Sequence, residues 1–338
     1  MHAFVTGATG FLGQHLVEHL LLQGWQVSAL FRDDSKTYQY THGHIHWSKG
    51  ELSDIGSLRA AMPRSVDAVF HLASDTSTWS LDHRRQYQTN VLGTQNLAKV
   101  ALEKNAIRFI HTSSISIYGF HDGSVDEHSE KRGIDSPVAY YRTKYLAEEV
   151  IREYVKKGLD AVILNPAAII GPKDTHNWVR LFNYINDGTL SGIPPGRKSF
   201  CFVEDVAKAH IQAFIHGRCG ENYILSGPSA SIQDLYHWVA QQLDKKPPPH
   251  ITPSWLLKCS GFIQTLLSHM TRKEPRLSLE TAYIICANVT GDCDKAQREL
   301  QYKNQTSLED MLQRTLDWWQ SEREQPKVTK AKKEKRAA

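Results

Sequence analysis

Long apolar runs are missing from these 338 residues. No stretch reaches the roughly 18 uninterrupted apolar residues that a membrane-spanning helix needs, so no such helix is expected. Cysteine is scarce: Cys201, Cys219, Cys259, Cys286 and Cys293 are odd in number, scattered and without a Cys-x-x-Cys pair. That pattern fits reduced thiols better than disulfides or zinc, and no metal site is expected. A secretory leader has little room, because strand-like residues begin at His2; the expected location is the cytoplasm. Excess charge of one sign is also missing once the end of the chain is set aside. The formal +4 comes from residues 327 to 338, which hold six Lys/Arg against one Glu and leave a net of −1 elsewhere. Such an end reads as a solvated tail rather than a tether to nucleic acid or membrane.

What is present is a hydrophobic content of 41%, enough for a substantial core. Residues 2 to 32 read as strand, Gly-rich turn, amphipathic helix and second strand. Further strands are expected at 44–47, 68–73, 109–113 and 161–164, separated by helical patterns. The expected fold is therefore α/β: a Rossmann-type doubly wound parallel sheet, with a smaller, mostly helical C-terminal substrate-binding region. Asp135-Ser136-Pro137 offers a cap and a first-turn proline for a helix running to Gly158, which would place Tyr140 and Lys144 on one face. Turn residues crowd 171–196; a helix is expected from about 203–205 and a strand at 222–225. Residues 253–270 read as an apolar-faced helix or pair of helices, expected to cover a substrate cleft rather than lie on a membrane.

Gly7-x-x-Gly10-x-x-Gly13 sits between strand and helix, where glycines permit a tight turn and close approach of backbone N–H groups to a pyrophosphate. With its flanks, Thr6-Gly7-Ala8-Thr9-Gly10-Phe11-Leu12-Gly13 resembles the fingerprint of the extended short-chain dehydrogenase/reductases. Further landmarks follow in that family's order: Gly50-Glu51-Leu52, His71-Leu72-Ala73, Asn90-Val91-x-Gly93-Thr94, Thr112-Ser113-Ser114 with Tyr118-Gly119, Tyr140-x-x-x-Lys144, Asn165-Pro166 with Gly171-Pro172, and Phe202-Val203-x-Asp205-Val206-Ala207. Glu51 replaces the family's usual Asp, and Asn165 replaces the common Arg, as in the dihydroflavonol reductase-like branch.

The resemblance implies that Gly7, Thr9, Gly10, Phe11, Leu12 and Gly13 cradle a dinucleotide, with Glu51 and Leu52 at its adenine, Leu72 and Ala73 of the fourth-strand motif also binding it, and Pro166 and Ile169 at the carboxamide. At the end of the second strand, where NAD enzymes place an acidic residue, stands Arg32, with Lys36 close behind; this points to NADP (NADPH). A tyrosine with a pKa of about 10 needs a nearby cation to serve as a proton donor near neutrality, and Lys144 lies one turn after Tyr140. In the family a serine four residues before the Tyr-Gly pair holds the substrate oxygen, which implies Ser114 rather than Ser113, and the lysine also holds the nicotinamide ribose.

The division expected is residues 1–172 for NADP binding, with further sheet elements from about 200–227. Segments 173–199 and 228–320 bind substrate, and a basic tail covers 321–338. The expected activity is NADPH-dependent interconversion of a carbonyl and a secondary alcohol on a small, hydrophobic or ring-containing molecule. A sugar-nucleotide epimerase or dehydratase holding NAD, and a non-catalytic NADP-binding regulator, remain as alternatives. No nucleic-acid partner is expected, and a homodimer is left open. Tyr118, Phe120 and Trp79 are candidates for the cleft wall or for packing, and the alternating His42, His44 and His46 read as surface residues.

Overall fold

The computed structural model describes residues 1–33, 37, 45–121, 123–190, 192–246 and 250–324. The chain opens with β1 (His2–Thr6), α1 (Phe11–Leu22), β2 (Gln26–Phe31), β3 (Ile45–Lys49), α2 (Ile55–Ala61) and β4 (Ala68–His71). It continues through α3 (His83–Tyr87), α4 (Gly93–Glu103), β5 (Arg108–Thr112), the short β6 (Ser124–Val125) and α5 (Ala139–Lys156). Then come β7 (Ala161–Pro166), β8 (Ala168–Ile170), α6 (Val179–Asn186), β9 (Arg197–Phe202), α7 (Val203–His216) and β10 (Asn222–Leu225). The last part holds β11 (Ser229–Ser231), α8 (Ile232–Gln242), α9 (Ser254–Thr271), α10 (Leu279–Cys286), β12 (Asn288–Gly291), α11 (Asp294–Leu300) and α12 (Leu308–Glu324).

Seven strands form one parallel sheet in the order β10-β7-β5-β4-β1-β2-β3. Alternation along each strand supplies both faces. Val5, Ile110 and Leu164 join α1 and α7 in one core cluster, while Phe4, Phe109 and Ile163 join α2, α4 and α5 in the other. Helices on both sides leave the inner strands fully buried, which explains their continuous apolar reading. The chain reverses direction across the sheet between β1 and β4, and there the carboxyl ends of the strands open a crevice.

Three expectations need correction. The helix that carries Tyr140 starts at Ala139, later than the Asp-Ser-Pro signal suggested: Ser136 and Val138 are extended, so Pro137 lies outside the helix. A second sheet, β11-β9-β12-β6 with β8 beside β9, was not foreseen; it joins short strands from both halves of the chain, and the C-terminal region is otherwise helical, as expected. Finally, α12 extends to Glu324, into the expected tail; residues 325 to 338 lie outside the described ones.

Candidate active site

The glycine turn is built so that side chains would block it. Gly7 has φ +75°, and a Cβ on it would sit 2.6 Å from the Ala73 nitrogen at the end of β4. A Cβ on Gly13 would lie 2.0 Å from the Gly7 carbonyl oxygen, so the first turn of α1 can press against the loop only as glycine. Gly10 caps α1 with no side-chain hydrogen bond, leaving the helix N-terminus facing the crevice with its backbone donors. This cradle fits the pyrophosphate of a dinucleotide. Beside it, Leu52 packs so closely under Gly93 that a Cβ there would come within 2.7 Å of it, and the Leu52 carbonyl accepts from Asn96 Nδ2 at 2.9 Å. Glu51 is exposed, and its carboxylate accepts from Ser53 Oγ at 3.2 Å. Arg32 is exposed at the end of β2 and makes no ion pair among the described residues. Lys36, His42 and His44 lie outside them.

Across the crevice, Ser114 lies two residues beyond the end of β5, and its Oγ accepts from the Ser116 backbone N–H at 3.1 Å, which starts a tight 3₁₀ turn. Tyr140 lies in the first turn of α5 and is half-buried. Burial pushes its hydroxyl up to about 12, and the adjacent Ser114 hydroxyl pulls the other way. One turn on, Lys144 is buried at 4% exposure, donates from Nζ to the Thr112 carbonyl at 2.9 Å, and stands 5.9 Å from the Tyr140 ring centre. Desolvation lowers this ammonium to about 8, opposed by Glu148. Ser114, Tyr140 and Lys144 are thus brought together, while Ser113 is buried with its hydroxyl unpartnered among the described residues. Pro166 and Ile169 lie at the carboxyl end of β7 and in β8.

Behind these groups is a polar network that sequence reasoning missed. Glu148, four residues after Lys144, is buried and accepts from Asn165 Nδ2 at 2.6 Å, Asn222 Nδ2 at 3.0 Å and Lys131 Nζ at 3.1 Å. Asn165 also donates to the Ser114 carbonyl at 3.2 Å and accepts from Asn222 at 2.7 Å, so it ties the serine loop to α5. The i+4 step from Lys144 was the available signal for Glu148. On the other side, Asn90 lies in a π-helical turn (Gln88–Leu92) and donates to the Asp75 carbonyl and to Thr143 Oγ1. Under α4, His71 bridges Thr6 Oγ1 and Thr94 Oγ1, each at 2.8 Å, and burial lowers it to about 3.

Near these groups the loops after β4 and β5 pack on α5, α9 and α10 through aromatic side chains. Phe120 packs between Tyr141, at 5.2 Å between ring centres, and Tyr283, at 6.4 Å. Trp79 donates through Nε1 to Ser268 Oγ at 2.9 Å. Tyr118, a candidate for the wall, is instead wholly buried among Ile115, Ile117, Val125, Ile224 and Val289.

Residues 3–226 match the NAD dependent epimerase/dehydratase family. A provisionally named dihydroflavonol 4-reductase of Synechocystis sp. is 30% identical over 94% of each chain. Sterol demethylase protein B of Methylococcus capsulatus is 31% identical over 89% of this chain and 93% of its own. Among solved structures, gox2253 has 29% identity and a TM-score of 0.81, covering 95% of this chain and 98% of the other. Other relatives are named as reductases, dehydrogenases and epimerases. With its parallel sheet, glycine cradle and ordered motifs, the chain belongs to the NAD dependent epimerase/dehydratase family, the extended short-chain dehydrogenase/reductases, as an NAD(P)-dependent oxidoreductase acting on CH–OH groups.

Proposed function

We propose that this protein interconverts a carbonyl and a secondary alcohol on an apolar or ring-containing small molecule, with NADP(H) as the redox partner. The observation that carries the reading is the meeting of Ser114, Tyr140 and Lys144 at the carboxyl end of β5, across the crevice from the glycine cradle. A bound nicotinamide supplies or accepts the hydride. In reduction, Tyr140 gives its proton to the carbonyl oxygen, Ser114 Oγ hydrogen-bonds that oxygen, and the Lys144 ammonium stabilises the phenolate left behind. The stacked Phe120 and Tyr283 rings support an apolar substrate, and the names of the sterol- and flavonol-linked relatives agree with it. The test is NADPH consumption against a panel of apolar ketones and aldehydes. Turnover supports the reading; inactivity across the panel with NAD copurifying in the site overturns it in favour of an epimerase or dehydratase.

Arg32 supports the choice of NADP, since an exposed guanidinium at the end of β2 can bind a 2′-phosphate bidentately. In competition binding NADPH is expected to win over NADH by about 10- to 100-fold, and Arg32→Ala to erase the difference. Equal or tighter NADH binding by the unaltered protein would sink this assignment.

Lys144 gives a pH signature. Its folded value of about 8 lies below the ordinary lysine value, so the ammonium is present below pH 8 and lost above it. Carbonyl reduction is therefore expected to hold level up to about pH 8 and to decline beyond it as the phenolate loses its cation. In Lys144→Met the whole profile should be low and this limb absent; persistence of the limb would assign it to another group.

A further inference from the structure

Helix α9 is amphipathic the wrong way round. Six apolar side chains, Trp255, Phe262, Ile263, Leu266, Leu267 and Met270, each leave more than half of their surface in water. At 100° per residue they fall within an arc of about 140° along one side of the helix. The opposite, mostly polar side does the docking. Thr265 Oγ1 accepts from the Leu279 N–H at 2.9 Å, Gln264 Oε1 from the Leu277 N–H at 3.2 Å, and Ser268 Oγ from Trp79. Gly261 sits so close to α10 that a Cβ would come within 3.2 Å of the Ala282 methyl. The apolar side of the helix is therefore the solvent-facing one. A patch of this kind on a soluble surface marks an interaction site.

We propose that this face rests in the interfacial layer of an anionic lipid membrane, with the protein held on the surface and not across it. No helix among the described residues is long and apolar enough to cross a membrane. Charge identifies the occupant. Segment 245–279 carries Lys245, Lys246, Lys258, Arg272, Lys273 and Arg276 against a single Glu274, a net +5, while the rest of residues 1 to 326 nets −6. Arg272, Lys273 and Arg276 are exposed just beyond the helix end. Two copies of this chain meeting through α9 about a two-fold axis would bring these basic flanks towards each other, whereas anionic headgroups neutralise them. An apolar stripe with exposed cations gathered beyond its end suits a helix lying in the plane of an anionic interface. The same helix is bonded to the loop after β4 and packed on α10, whose Tyr283 contacts Phe120, so attachment would bring this aromatic cluster to the lipid surface.

The attachment is independent of the reaction assigned to the cleft and is read without turnover. Full-length protein is sedimented with vesicles of phosphatidylcholine alone and of phosphatidylcholine with phosphatidylglycerol at roughly 3:1, beside Phe262→Asp/Leu266→Asp. The unaltered protein is expected to pellet with the anionic vesicles, and the double variant to bind at least about tenfold more weakly while keeping its melting temperature, since both positions are solvent-facing. Failure of the unaltered protein to pellet overturns the proposal. Equal pelleting of the variant overturns it too, because the basic end of the chain, intact in both, would then be the tether. A dimer that the double variant splits, without vesicle binding by either protein, gives the face to a second copy and likewise overturns it.

Discussion

Tyr140→Phe is expected to lower kcat for carbonyl reduction by about 10²- to 10⁴-fold, the usual contribution of a positioned proton donor. The substitution removes one oxygen and leaves the ring, which stands edge-on to Tyr141 at 6.3 Å, so the fold of α5 has no reason to change. NADPH binding should survive, because the glycine cradle lies in the turn from β1 to α1 and Arg32 just after β2, whereas the phenol is on α5. The neutral phenol is the form that reduction needs, and burial keeps it neutral by pushing it up to about 12. Tyr141 is the internal control: it is buried against Phe120 and has Tyr145, not a lysine, one turn ahead. Tyr141→Phe should leave turnover within about twofold. Steady-state rates with NADPH binding followed by fluorescence make the comparison. A loss below tenfold in Tyr140→Phe, with binding intact, would remove the phenol from the chemistry.

The parts of the molecule that were legible in the sequence are those in which a short segment determines its own geometry. The glycine spacing of residues 7 to 13 is such a case: φ +75° at Gly7 and the 2.0 Å approach at Gly13 are local demands that leave glycine at each position. The parallel strands were legible because burial on both faces turns them into apolar runs, as at Ala68–His71 and Ala161–Pro166. The second sheet was not, since β12 reads only Asn-Val-Thr-Gly and owes its existence to partners far away in sequence, β9 and β6. Helix α9 shows a subtler limit. Its apolar stripe was visible, but periodicity gives the stripe and not its direction; Gly261, Thr265 and Ser268, which hold the helix to α10 and Trp79, decide which side is out. Tyr118 was ambiguous for the same reason, because a loop aromatic can pack inward or line a cleft and only tertiary contacts choose.

Glu148→Ala should show how far the site depends on what lies behind it. The carboxylate is buried, with Lys131 Nζ at 3.1 Å, Arg152 at 3.6 Å and amide donors from Asn165 and Asn222 at 2.6 and 3.0 Å. Removing it leaves two cations facing a cavity and takes one of two acceptors from each of the Asn165 and Asn222 amides. The expected loss is about 3 to 5 kcal/mol of stability, the range for breaking a buried ion pair on one side. Glu148→Gln keeps the volume and one acceptor but turns an amide towards donors, and should cost less, about 1 to 3 kcal/mol. Urea unfolding measures both. The catalytic consequence runs through Asn165, whose Nδ2 is shared between Glu148 and the Ser114 carbonyl. With Glu148 gone, Asn165 can reorient and the serine loop loses one of its ties to α5. The folded fraction of Glu148→Gln should therefore show reduced kcat with NADPH affinity unchanged, a split that general destabilisation does not produce. A ΔΔG below about 1 kcal/mol for Glu148→Ala would mean that water replaces the carboxylate at no cost, and the network would then be no support for the site.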